Sequence, residues 1–92
     1  MDIARALPGG ELIEAGLLDL ARGLESVPAL LVLIGAPRLR RLGFAVPERD
    51  EAQPELRLYA ALTAENPDTA HSRYNALVRR LVSFERAAEC GA

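Results

Sequence analysis

Residues 26–37 read SVPALLVLIGAP, and whether this apolar run is a strand or a helix decides the fold class. Ala29, Leu30, Leu31, Val32, Leu33 and Ile34 follow one another without a polar residue. Periodicity inside such a run cannot separate a buried strand from a helix buried on all sides. Its neighbours decide instead. Ser26 with Pro28 two residues on supplies a helix cap and first turn. No other segment of the chain alternates as a partner strand would, and a strand needs partners to be stable. The run is therefore expected to be a helix, interrupted around residues 35–37, where Gly, Ala and Pro stand together. Pro37 then reopens a short turn carrying Arg38, Leu39, Arg40, Arg41 and Leu42, which Gly43 would end in the left-handed conformation.

On the N-terminal side, Pro8, Gly9 and Gly10 punctuate the chain. From there Leu12, Ile13, Leu17, Leu18, Leu20, Ala21 and Leu24 recur at spacings of three and four, the mark of a helix with a wide apolar face over residues 10–24. Gly16 in its middle costs about 1 kcal/mol against Ala. Either a neighbouring helix crosses closely there or the cost is simply tolerated.

On the C-terminal side, residues 44–54 include Pro47, Glu48, Arg49, Asp50, Glu51, Gln53 and Pro54, with little to bury, and read as a mobile loop. Pro54 suits a first helical position, so a short amphipathic helix is expected over residues 54–65. Asn66, Pro67 and Asp68 then form the clearest helix start in the chain: a capping amide, Pro in the first turn and an acid beside the helix dipole. The helix they open is expected over residues 67–89. Its Ala70, Tyr74, Leu77, Leu81, Phe84 and Ala88 are spaced alternately four and three apart, and Val78 and Val82 broaden that stripe. At 100° per residue Glu85 also falls inside the apolar sector; it reads as a rim position or, if buried, as a carboxylate that needs a partner such as an internal arginine, and the sharper reading is a site residue.

These readings give one all-α domain over the 92 residues, a small bundle of about four helices with the last the longest, with dimerisation as one way to complete it. Half the residues are hydrophobic but only 4% aromatic, so Leu, Val, Ile and Ala must build the core.

Charge narrows the partners. All eleven basic residues are arginines, and the formal net charge is −2, which gives no global attraction to nucleic acid or anionic lipid. The charge is nevertheless segmented: residues 1–36 carry two arginines against five acids, residues 37–49 four against one, residues 50–68 one against five, and residues 69–92 four against two. A single cysteine, Cys90, excludes an internal disulfide. Asp2 near the start and the lateness of the apolar run argue against a secretory leader, and six apolar residues fall far short of the roughly 20 that span a bilayer. A cytoplasmic protein with no cofactor is the expectation.

Three functional readings follow. The first is a non-enzymatic protein-interaction module that self-associates, as a dimer, or docks on another protein through its last helix, with Tyr74, Leu77, Val78, Leu81, Val82, Phe84 and Glu85 as the interface. Its support is an apparent surplus of apolar surface. The second is a nucleic-acid-binding regulator using Arg38, Arg40 and Arg41; the acidic balance, the short basic helix and the lack of interleaved base-reading side chains count against it. The third is an enzyme with a pocket formed by His71, Tyr74, Asn75, Tyr59 and an arginine. His71 is the only histidine, about 28 Å along the helix from Cys90 and about 21 Å from Glu85 at 1.5 Å per residue, so neither a Cys-His pair nor a metal site with Glu85 and Glu89 forms within one chain. No phosphate-binding glycine signature is present.

Overall fold

The computed structural model describes residues 6–48 and 53–91. Five helices account for most of them: α1 (Gly10–Ala21), α2 (Val27–Ile34), α3 (Ala36–Arg41), α4 (Pro54–Glu65) and α5 (Ala70–Gly91). Among the described residues there is no strand. The chain is all-α, a small bundle with four longer helices, α3 being a six-residue appendage.

The apolar run is α2, and it is the centre of the bundle. α1, α3, α4 and α5 all pack against it, which is why it carries no polar residue on any face: Ala29, Leu30, Leu31 and Val32 are almost fully buried. Ser26 caps it, its Oγ accepting the Ala29 amide at 3.2 Å while its hydroxyl donates to Asp19. Around α2 close Ile13 and Leu20 of α1, Leu39 of α3, Leu58 and Leu62 of α4, and Ala70, Leu81 and Phe84 of α5, forming one hydrophobic core with Val46. Gly16 faces α2, and a β-carbon there would meet Pro28 and Val32, so of the two readings of this glycine the close crossing is the one found.

Two helix starts and stops differ from the sequence expectation, and one interruption is where it was expected. α1 stops at Ala21 and not at residue 24, because Gly23 takes a φ of 76° and the Leu24 amide turns back to the Asp19 carbonyl at 2.8 Å. This is the Schellman closure, and it leaves Leu24 on the surface, off the apolar face to which the spacing assigned it. The Gly-Ala-Pro interruption is found where it was expected: Gly35 ends α2 and begins α3. Gly43 follows with a φ of 99°, as expected of a left-handed stop. Finally, Asn66 does open the last helix, but through a turn: its Oδ1 accepts the Asp68 amide at 3.0 Å, and regular helix begins at Ala70, three residues after Pro67. The loop expected over residues 44–54 is irregular from Phe44 to Glu48, and residues 49–52 lie outside the described residues.

Ion pairs tie the periphery together. Arg57 of α4 grips Glu25, on the α1–α2 connection, with Nε to Oε1 at 2.9 Å. Arg73 of α5 reaches Glu65 at the end of α4 at 2.9 Å. Such exposed pairs are worth little individually. No helix among the described residues is long and apolar enough to cross a membrane.

Candidate functional site: an apolar groove at the end of the last helix

The interface residues read from the sequence divide into two groups. Leu81, Phe84 and Glu85 are buried within the chain's own core, whereas Tyr74, Leu77, Val78 and Val82 are half-buried along its edge. The stripe on α5 is therefore mostly spent on α2 and α4, and a partner could reach Leu81, Phe84 or Glu85 only if the monomer opened.

Glu85 lies where the helical wheel puts it, among apolar groups, only 5% exposed. The partner it needs is Arg38 of α3, whose Nη1 stands 3.7 Å from Glu85 Oε1, while Nη2 of the same guanidinium donates to Glu89 Oε2 at 2.5 Å. Burial pushes the Glu85 carboxyl above the ordinary glutamate range, and the positive charges of Arg38 and Arg41 pull the other way. The joint between α2 and α3 sits directly above this carboxyl: a β-carbon on Gly35 would lie 3.0 Å from Glu85 Oε2 and 2.8 Å from Leu81 Cδ1.

The other arginines of the basic cluster have work inside the chain. Arg40 donates to the carbonyls of Val46 at 3.2 Å and Pro47 at 3.1 Å, holding the segment after α3 against it. Arg41 is exposed beside Leu42 and Glu89. The patch is thus interleaved with acids: Glu85 and Glu89 of α5 stand opposite the arginines of α3.

Next to this charged cluster the surface opens into an apolar groove of about 320 Å³. It is lined by Leu42, Gly43 and Phe44 after α3, by Ala87, Ala88 and Gly91 of α5, and by Leu7. Phe44 is anchored on the buried ring of Phe84, with centroids 5.3 Å apart and planes tilted by 53°. Sequence reasoning missed this groove. Its one signal was Phe44, an aromatic residue immediately after a helix-stopping glycine at the start of an otherwise polar loop.

The residues of the enzyme reading do meet. Tyr59 of α4 packs against Tyr74 (5.7 Å) and, edge-on, His71 (6.5 Å) of α5, and His71 hydrogen-bonds Asn75 at 3.2 Å. They lie on an outer face of the bundle, with His71 and Tyr59 exposed. Among the described residues no three His, Cys, Asp or Glu side chains are grouped to hold a metal ion. No protein-family model, curated protein or solved structure matches this chain.

Proposed function

We propose that the chain is a non-enzymatic helical interaction module that self-associates, as a dimer, through the C-terminal half of its last helix. The observation that carries the reading is the groove bounded by Leu42–Phe44, Ala87, Ala88 and Leu7. It is lined by apolar groups without the convergent polar ones that orient a small-molecule ligand, and it has the volume to accept an apolar side chain or two. Its rim carries both signs of charge, Arg41 and the Arg38–Glu89 pair. A mixed rim around an apolar centre is the usual anatomy of a protein interface, and a rim that carries both signs can pair with a second copy of itself. A cytoplasmic setting belongs to the same reading, since Cys90 is an exposed free thiol close to that surface.

The test is the solution mass of the reduced protein by light scattering across a wide concentration range, for the natural chain and for Ala88→Arg. A dimer that becomes a monomer in Ala88→Arg, with helical circular dichroism unchanged, is the expected result. A natural chain that stays monomeric throughout, or an Ala88→Arg variant that still dimerises, overturns the reading.

A further inference from the structure

The arginines of α5 are placed differently from those of α3. Ala76, Arg79, Ser83 and Arg86 recur at spacings of three, four and three. At 100° per residue they form one stripe on the side of α5 opposite the buried Leu81, with Arg80 beside it. All five are exposed. The two acids of α5, Glu85 and Glu89, lie off this stripe and are taken by Arg38. The remaining arginine of the helix, Arg73, is paired with Glu65. Among the described residues no carboxylate pairs with Arg79, Arg80 or Arg86; Arg79 Nε donates to the Asn75 carbonyl of its own helix at 3.3 Å.

Three permanently charged forks thus stand on about 10.5 Å of helix with no acid between them, in a chain whose net charge is −2. Elsewhere the exposed charge is mixed, as with Glu11 and Arg22 on α1 or Glu55 and Arg57 on α4. A surface of one sign suits an anionic partner, and its remaining side chains select which. It carries no aromatic or large apolar residue. A protein would therefore find no anchor to bury, an anionic membrane would receive no inserted group, and the bases of a single strand would have no ring to stack on. The phosphates of a duplex need none of these, since guanidinium forks alone engage them. Ala76 and Ser83 are short, so the helix can come close. The wide major groove of B-form DNA admits a helix, whereas that of duplex RNA is too deep and narrow.

We propose that the outer face of α5 binds the sugar-phosphate backbone of duplex DNA through Arg79, Arg80 and Arg86, without reading its sequence. This activity goes beyond self-association and does not rest on it: the groove's residues on α5 are Ala87, Ala88 and Gly91, none of which belongs to the basic stripe.

The test is fluorescence anisotropy of a labelled, mixed-sequence DNA duplex titrated with the reduced full chain from low salt upward. Three phosphate contacts predict binding at low salt, with log affinity falling against log salt at a slope of about −2.7. Arg79→Gln combined with Arg86→Gln should weaken binding and leave a slope of about −0.9. Arg22→Gln, which removes an exposed arginine from α1, should change neither. Circular dichroism checks the fold of each variant; should the double variant not fold, Arg79→Gln alone decides, with a slope of about −1.8. No binding at the lowest salt, an equal loss in Arg22→Gln, or a loss in Arg40→Ala and Arg41→Ala instead of the α5 variants overturns the inference. A chain that dimerises yet ignores the duplex overturns this inference alone, and one that binds the duplex but stays monomeric overturns the proposed function alone.

Discussion

Gly16 of α1 and Pro28 of α2 meet backbone to backbone: a β-carbon at position 16 would stand 2.3 Å from the Pro28 carbonyl oxygen and 2.5 Å from Val32 Cγ2. Neither neighbour can withdraw, since Pro28 lies in the first turn of α2 and Val32 is fully buried. Gly16→Ala gains about 1 kcal/mol of helix propensity and forces this close crossing apart, an overpacking that costs typically about 1–3 kcal/mol and occasionally more. The expected outcome is a net loss of stability in urea denaturation. A variant more stable than the natural chain would show that α1 and α2 do not cross at this distance.

Burial predicts a contrast between two leucines. Leu31 is fully buried in the central helix, whereas Leu56 on the outer side of α4 is 63% exposed. Leu31→Ala should cost about 2–5 kcal/mol through lost burial and a residual cavity, and Leu56→Ala should stay within about 0.5 kcal/mol. Thermal unfolding of both at low concentration decides. A large loss for Leu56→Ala that grows with protein concentration would mean that α4 is covered by a partner and that the groove on α5 is the wrong surface.

How far the sequence could be read follows from where its information is local. The helix of α2 was legible because a lone strand has no partner, and the break at Gly35 because Gly, Ala and Pro interrupt any helix. The place of Glu85 in the apolar sector was legible from its angle on the wheel, since that angle depends only on the helical repeat, but whether it lay on the rim or was buried was not. Its connection to Arg38, 47 positions earlier in the chain, depends on how α3 folds over α5, and no local pattern encodes such a crossing. The interface assignment suffered for the same reason. The stripe through Leu81 and Phe84 was correctly read as apolar, but whether the chain's own helices or another molecule covers it is a question of packing, and α2 and α4 bury these two residues within the chain. The groove arises from three segments distant in sequence, Leu7, Leu42–Phe44 and Ala87–Gly91, none of them periodic.

The burial of Glu85 also fixes a sign for stability. A carboxyl whose folded value is raised binds its proton more tightly in the folded chain than in the unfolded one. Its contribution to stability is fully present below the ordinary glutamate value and declines as pH rises through the raised folded value. Denaturation at a series of pH values should therefore show the natural chain losing stability relative to Glu85→Gln as the medium passes from acidic toward neutral. The other carboxylates act alike in both proteins, so the difference isolates this group. Parallel curves would mean that Glu85 is solvated or fully compensated by Arg38.

The arginines of α3 separate the interaction reading from the nucleic-acid one. Arg40 spends donors on the Val46 and Pro47 carbonyls, so Arg40→Ala should release that segment and cost about 1 kcal/mol, the worth of an ordinary hydrogen bond or two. Arg41 is exposed at the groove rim, so Arg41→Ala should leave the monomer's stability unchanged and weaken dimerisation, most clearly at low salt, where rim charges count. A regulator that grips phosphates would behave differently: both substitutions would reduce retention on a duplex, with a shallower dependence on salt. Retention of the natural chain on duplex DNA at low salt, lost in Arg40→Ala and Arg41→Ala alike, would move the function from the groove to the arginines. Indifference to DNA together with weakened dimerisation in Arg41→Ala alone would keep it at the groove, where Glu89 and Arg41 share one rim.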